Sequence, residues 1–225
     1  MISYFYRNKG RSELNPCEDS LTAVVFDTLK YLPTSIFWDI LKSALYKDKL
    51  PPDSGELKEI TFWDKWNSEG TGNTNFVEPD VFLRFNDFDI IIEAKRYDKN
   101  QQSEGQISNE IQSYFNEYET EKKDLYLIKL GGLHSKSDEK NHFIRNTPIC
   151  KTDWTRLLDV ISKKLYDLKK EGDFLSSSYV RILEDCIHGF ALHQYYKKEW
   201  FSELKPYQTI NHLCLKNTFN YARKS

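Results

Sequence analysis

The fold is decided by residues 78–95, which read EPDVFLRFNDFDIIIEAK. Two apolar runs, 81–85 and 88–92, flank the pair 86–87, an Asn-Asp dipeptide that tolerates the backbone angles of a tight hairpin turn. This pattern predicts a β-hairpin. A two-residue loop and a four-residue loop centred on the same point give the same pairing register, so the sequence leaves both open.

Side chains alternate across a strand, so this hairpin has one wholly apolar face and one mixed face. The apolar face is predicted to be core and comprises Val81, Leu83, Phe85, Phe88, Ile90, Ile92 and Ala94. On the mixed face, Arg84 faces Asp89 near the turn as a cross-strand ion pair. At the open end Asp80 faces Glu93, and like charges in facing positions are destabilising. Lys95, next along this face, compensates one charge, and a divalent cation between the carboxylates would compensate the other. Mg²⁺ or Mn²⁺ suits such oxygen ligands.

The residues Pro79-Asp80 followed by Glu93-Ala94-Lys95 resemble the signature of the PD-(D/E)XK nuclease superfamily, which includes restriction endonucleases and DNA-repair and phage-defence nucleases. The resemblance implies an α/β fold with a restriction-endonuclease-like αβββαβ core, in which helices flank a mixed sheet. An amphipathic hairpin whose ends happen to be charged is the alternative.

The segments before the hairpin follow the order that the resemblance implies. Apolar periodicity predicts helices at 16–31 and 34–46 and a strand at 57–66. Glu18 lies on the apolar side of the first helix, where a carboxylate needs a partner. In the nuclease family an acidic residue of the first core helix often completes the metal site, so Glu18 is the candidate third ligand and Asp19 the alternative. A favourable interaction with the helix N-terminus explains Glu18 equally well.

After the hairpin, the pattern predicts a helix at 106–118 and a buried strand at 124–130, joined to the sheet by a helical crossover. Similar nucleases often carry a glutamine in this helix near the active site. Gln106 is therefore a candidate for contacting substrate or the attacking water, although a surface glutamine would look the same.

Composition limits the class of protein. A chain of 225 residues with 39% hydrophobic residues can bury a sizeable core. The simplest organisation is one domain over 1–225, with a core at about 14–135 and a helical C-terminal extension at about 150–222. No apolar run could span a membrane, and the N-terminus lacks a signal-peptide pattern, so we expect a cytoplasmic protein with no membrane partner. The four cysteines include no Cys-x-x-Cys pair, which argues against a zinc site or a disulfide framework.

The net charge of −2 is a mild argument against a nucleic-acid partner, because phosphate binding draws on Lys and Arg. An enzyme, however, needs only one basic surface around an acidic metal site. The charge therefore does not exclude the function that the hairpin motif implies.

The expected function is a Mg²⁺-dependent (or Mn²⁺-dependent) deoxyribonuclease that hydrolyses phosphodiester bonds. The expected catalytic residues are Asp80, Glu93, Lys95 and Gln106, and the expected metal ligands are Glu18, Asp80 and Glu93. The sequence contains no recognisable motor or sensor segment, so we expect a homo-oligomer or a partner protein that supplies this function. By family analogy, the setting is the cutting subunit of a phage-defence or restriction system. The alternative is a non-cleaving nucleic-acid-binding or scaffold subunit that retains the nuclease fold.

Overall fold

The computed structural model describes residues 16–137, 146–172 and 176–197. Its helices are α1 (Glu18–Leu29), α2 (Thr34–Ala44), α3 (Glu104–Tyr118), α4 (Trp154–Glu171) and α5 (Ser176–Leu192). Its strands are β1 (Leu57–Thr61), β2 (Trp66–Asn67), β3 (Phe76–Val77), β4 (Val81–Phe85), β5 (Phe88–Ala94), β6 (Asp124–Leu130) and β7 (Ile149–Thr152). Within these ranges, no helix has the length and apolar character needed to cross a lipid bilayer.

Five strands form a mixed sheet in the order β1-β4-β5-β6-β7, and β2 and β3 form a separate small pair. The neighbours β1, β4 and β5 are antiparallel, whereas β5, β6 and β7 are parallel. Parallel neighbours require a crossover connection, and α3 provides it between β5 and β6. The α/β class with a mixed sheet flanked by helices is therefore as the sequence predicted.

The β4–β5 hairpin has the predicted register, with Phe82 facing Ile91 and Arg84 facing Asp89. Arg84 Nε lies 3.8 Å from Asp89 Oδ1, which confirms the cross-strand ion pair. Residues 86 and 87 do not adopt positive φ angles. The last cross-strand pair is Arg84 with Asp89, and the strand bounds leave only residues 86 and 87 outside β4 and β5.

The two faces of the sheet bury two apolar clusters. The predicted core face of the hairpin packs with residues of α1, α2, α4 and α5. The opposite face packs beneath α3 and the β2–β3 pair; its cluster comprises Trp66, Phe82, Ile91, Ile107, Ile111, Tyr114, Leu125 and Leu127. The result is a three-layer α/β/α arrangement.

The C-terminal part of the sheet differs from the sequence analysis. The predicted helical extension began at about 150, but Ile149–Thr152 is the fifth strand of the sheet, and α4 begins only at Trp154. The strand is short, and it forms because it pairs with β6, an interaction distant in sequence. The part of the predicted extension beyond residue 197 lies outside the described residues.

Helix α5 crosses α1 closely at Gly189, where an added Cβ would lie 2.5 Å from Val24 Cγ2. We predict that Gly189→Ala lowers the free energy of unfolding by about 1–3 kcal/mol, because the β-branched valine has little rotamer freedom to move away. Urea denaturation followed by circular dichroism measures this change.

The control is a double-mutant cycle with Val24→Ala, which costs stability by itself because Val24 is buried. In the Val24→Ala background the obstructing side chain is shorter, so Gly189→Ala should cost less than it does in wild type. Alanine is favoured over glycine in a helix interior by about 1 kcal/mol. A stabilised Gly189→Ala single variant would therefore contradict the close packing described here.

Candidate active site

The open end of the β4–β5 hairpin brings the predicted acidic residues together. Asp80 directly precedes β4, and Glu93 is the second-last residue of β5. Asp80 Oδ2 accepts a hydrogen bond from the Ala94 N–H at 2.9 Å, and Oδ1 accepts one from Trp63 Nε1–H at 3.1 Å. These two bonds hold the Asp80 carboxylate at the end of β5, beside Glu93.

Lys95 lies between carboxylates that come from different elements. Its ammonium forms an ion pair with Glu93 Oε1 and lies 3.4 Å from Glu18 Oε1. It also donates to the Ala94 carbonyl at 3.1 Å. The lysine therefore joins the end of β5 to the first turn of α1.

Glu18 reaches the site as the sequence analysis expected. Besides contacting Lys95, its Oε2 accepts a hydrogen bond from the Arg96 N–H at 2.8 Å. Both oxygens of this first-turn carboxylate are thus directed to the segment that follows β5. The structure brings Glu18, Asp80, Glu93 and Lys95 into one neighbourhood.

The segment after α5 anchors both α1 and the chain that follows β5. His193 Nδ1 lies 2.8 Å from the Gly189 carbonyl oxygen, which can only accept, so Nδ1 carries the proton. His193 Nε2 therefore accepts from the Ser20 hydroxyl, 2.7 Å away. Two residues later, the Tyr195 hydroxyl donates to the Arg96 carbonyl. These bonds fix the two backbone segments that position the Glu18 carboxylate.

Glu110 of α3 is a member of the site that the sequence analysis missed. It is 0% exposed, and it interacts with the Glu93 carboxyl across the α3 face of the sheet. A signal was present, because Glu110 lies between Ile107 and Ile111 on the apolar side of the predicted helix. Glu18 has the same feature, a carboxylate on the apolar side of a predicted helix.

Gln106 and Gln102 both lie near the site, Gln106 at the start of α3 and Gln102 in the segment before it. Gln106 lies in the first turn of α3, half-buried, and favours the charged form of Glu110 one turn later. It therefore borders the cluster through Glu110. The buried Gln102, in the segment between β5 and α3, donates from Nε2 to the carbonyls of Glu93 and Gly131 at 3.2 and 3.1 Å. It holds the ends of β5 and β6 together.

The end of β6 also packs tightly against the motif lysine. Gly131 has a φ of +71°, and a Cβ at this position would lie 2.4 Å from the Lys95 carbonyl oxygen. Only glycine fits a left-handed backbone at such a close approach. The turn after β6 therefore also supports the backbone of Lys95.

The pKa values of the buried carboxyls of the cluster and of Lys95 are shifted from their ordinary values. Burial raises the pKa of Asp80 well above its ordinary value, and the neighbouring Glu93 carboxyl raises it further. Burial also raises the pKa of Glu93, with Glu110 as the next cause. For Lys95, burial favours the neutral amine, but attraction to Glu93 and the other carboxyls outweighs it and raises the pKa. Lys95 is therefore an ammonium at neutral pH, surrounded by more carboxyls than it can balance.

A second buried cation lies beside the cluster. Lys129 on β6 pairs in register with Glu93 on β5, which places both on the same face of the sheet. Its ammonium forms an ion pair with Glu104 at 2.5 Å, at the start of α3. Glu104 is therefore one carboxylate partner of this buried lysine.

The exposed fraction of the side chains increases from β5 towards α1. The side chain of Glu93 is 1% exposed, that of Lys95 13% and that of Glu18 30%. A ligand from solvent would therefore meet Glu18 and Lys95 first and the β5 carboxylate last.

The carboxylates around the Lys95 ammonium offer only oxygen atoms to a metal ion, but they are not already arranged as a metal site. Within residues 16–137, 146–172 and 176–197, no group of three or more His, Cys, Asp or Glu side chains is arranged to hold a metal ion. The Lys95 ammonium contacts both Glu93 and Glu18. In this arrangement, it is the cation that the two carboxylates share.

A cavity of about 740 Å³ lies near the start of α4, and its lining includes Asp98, Lys136 and Arg156. Its charged groups are engaged in structural contacts. Asp98 accepts from the Trp154 N–H at 3.0 Å, Lys136 lies 3.5 Å from Asp153, and Arg156 donates to backbone carbonyls of residues 43–45. The hairpin cluster, and not this cavity, is therefore the candidate site.

The fold and site together define the class: an α/β protein whose central hairpin ends in a buried cluster of carboxylates around a lysine. The chain belongs to the same family as the uncharacterized protein PM0110 of Pasteurella multocida (strain Pm70). The two are 35% identical over 213 residues, which covers 88% of this chain and 78% of that protein. No protein-family model matches the chain, and no solved structure matches it.

The Glu110 carboxyl gives a prediction about pH. Burial raises its pKa from 4.5 to about 7, so the folded chain binds this proton more tightly than the unfolded chain does. The resulting stabilisation is complete below pH 4.5 and is lost as the pH rises to about 7. Glu110→Gln keeps a neutral group of the same shape that can donate to Glu93. In EDTA, its unfolding free energy relative to wild type should rise between these pH values by on the order of 3 kcal/mol.

The measurement is urea denaturation at a series of pH values. Glu117→Gln is the matched control, because Glu117 is exposed on the same helix and lies away from the cluster. Parallel pH profiles for wild type and Glu110→Gln would show that Glu110 is not the buried titrating group.

Proposed function

We propose that this protein is a metal-dependent nuclease of the PD-(D/E)XK type that hydrolyses phosphodiester bonds in nucleic acid, with DNA as the favoured substrate. With α2 and the small β2–β3 pair set aside as insertions, the order α1, β1, β4, β5, α3, β6 follows the αβββαβ order of the restriction-endonuclease-like core, and this supports the finer fold assignment. By analogy with that superfamily, we further propose that it is the cutting subunit of a phage-defence or restriction system.

The observation that carries the proposal is the placement of the motif residues. Asp80, Glu93 and Lys95 meet at one end of the hairpin, and Glu18 joins them from α1. In an ordinary amphipathic hairpin, charged side chains at the strand ends would project into water. Here the carboxyls are buried, with Asp80 8% and Glu93 0% exposed, a costly arrangement unless an ion or proton compensates it.

The donor set fits a hard divalent cation. Asp80, Glu93 and Glu18 offer only carboxylate oxygens, and Glu93 Oε2 is buried without a hydrogen-bond partner. These three residues would hold Mg²⁺ or Mn²⁺. A metal ion bound there supplies acidity to a coordinated water and stabilises negative charge on a phosphate oxygen.

Lys95 has a role that follows from its charge. Since its pKa is raised by the surrounding carboxyls, despite burial, it stays protonated and cannot accept a proton from water at neutral pH. It can donate hydrogen bonds to the attacking water or to the scissile phosphate, and it balances charge that develops on that phosphate. Gln106 borders the same cluster and is proposed to contact substrate or the attacking water.

The proposal is tested by incubating plasmid, linear duplex, single-stranded DNA and RNA with the protein and Mg²⁺ or Mn²⁺. We expect cleavage that EDTA abolishes. Asp80→Asn and Lys95→Met should each lower the cleavage rate by roughly two orders of magnitude or more, because each removes a group that stabilises the transition state.

Asp87→Asn is the matched control, because it makes the same charge change on the exposed turn of the same hairpin. It should leave cleavage unchanged. Nucleic-acid binding without cleavage under any metal would support the binding or scaffold subunit instead. Cleavage of small nucleotide phosphodiesters alone would move the activity to a non-nucleic substrate.

A further inference from the structure

Glu110 is buried in a way that differs from other buried acids of the described chain. Asp89, for example, is 0% exposed but accepts from the Tyr114 hydroxyl at 3.0 Å and from the Lys123 ammonium at 3.2 Å. Asp98 accepts from a backbone N–H and from the Thr155 hydroxyl. A buried carboxylate normally has such donors, because it loses its hydration on folding.

In the described part of the chain, the buried carboxylates with an oxygen that lacks such a donor are Glu93 and Glu110. Among the described residues, Glu110 Oε1, Glu110 Oε2 and Glu93 Oε2 are the buried carboxylate oxygens that accept no hydrogen bond from a backbone N–H or a lysine. They interact instead with each other and, at Glu110, with Gln106. These oxygens belong to two side chains that face each other, one from α3 and one from β5. Two facing carboxylates repel, so the pair is stable only with a proton shared between them or with a cation between or beside them.

Lys95 does not supply this partner for the α3 side. Its ammonium contacts the other oxygen of Glu93 and then Glu18, towards solvent. Lys129, on the neighbouring strand, forms an ion pair with Glu104. Neither ammonium donates a hydrogen bond to Glu93 Oε2 or to the two Glu110 oxygens, although the charge of Lys95 favours the ionised form of Glu110.

We infer that Glu110 is a further carboxylate ligand of the divalent-cation site, contributed by α3 opposite Glu18 of α1. The inference rests on the proposed function for the presence of a cation at Asp80 and Glu93. It adds that the ion lies on the α3 side of the hairpin and is held by Glu93 and Glu110. The site then takes Mg²⁺ or Mn²⁺ through carboxylates from both helical layers and from the sheet between them.

The test measures Mn²⁺ binding directly, by electron paramagnetic resonance of free Mn²⁺ and by isothermal titration, with the whole chain and no nucleic acid. Wild type should bind Mn²⁺, and Glu110→Gln should weaken the affinity by at least about tenfold. Glutamine matches the shape of the glutamate but offers no negative charge to the ion. The melting temperature in EDTA should not fall in this variant, whereas the rise on adding Mn²⁺ should shrink.

Glu117→Gln, on the same helix, is the control and should bind Mn²⁺ as wild type does. If Glu110→Gln does not fold, Glu110→Met gives the same readout, because methionine suits a position between Ile107 and Ile111. Unchanged Mn²⁺ affinity in the folded variant overturns the inference, as does a wild-type chain that binds no Mn²⁺; the pair would then hold a shared proton.

The proposed nuclease function can fail separately. A wild-type chain that binds Mn²⁺ through Glu110 but cleaves no phosphodiester keeps the inference and removes the function. Cleavage that depends on Asp80 while Glu110→Gln keeps full Mn²⁺ affinity keeps the function and removes the inference.

Discussion

Uncompensated negative charge at the open end of the β4–β5 hairpin is the constraint on which the site depends. Asp80 and Glu93 face each other there, Glu110 approaches from α3, and Glu18 approaches from α1. The Lys95 ammonium contacts Glu93 and Glu18. Desolvated carboxylates in such numbers are stable only with protons or cations, which explains why burial and mutual repulsion raise their pKa values. The same constraint makes the cluster a place for a hard metal ion.

The rest of the fold can be understood as support for this end of the hairpin. The sheet holds β5 between an antiparallel and a parallel neighbour, so Glu93 cannot leave its buried position. Gln102 and Gly131 join the ends of β5 and β6. On the other face, α5 packs on α1, and the following segment binds Ser20 and the Arg96 carbonyl. Helix α5 thus helps to position Glu18, although it carries none of the motif.

The sequence predicted those features that depend on local periodicity. Alternation along 78–95 determined the hairpin register and its core face, because a shift by one residue would expose the whole apolar set. A carboxylate on an apolar helix stripe identified Glu18, and the same signal at Glu110 was overlooked in favour of Gln106. Strand β7 could not be read in the same way, since four residues that include a lysine become a strand only through pairing with β6. The loop length was also undetermined locally, because both lengths give one register.

The most direct test of the central claim is a crystal structure with Mn²⁺, in which anomalous scattering locates the ion without reference to activity. A peak within about 2.1 Å of carboxylate oxygens of Asp80 and Glu93 is predicted, with the Lys95 ammonium withdrawn from Glu93. A chain that crystallises in saturating Mn²⁺ with no peak at the hairpin, and with Lys95 still paired to Glu93, would contradict the account. The buried carboxyls would then be neutralised by protons and by the lysine alone.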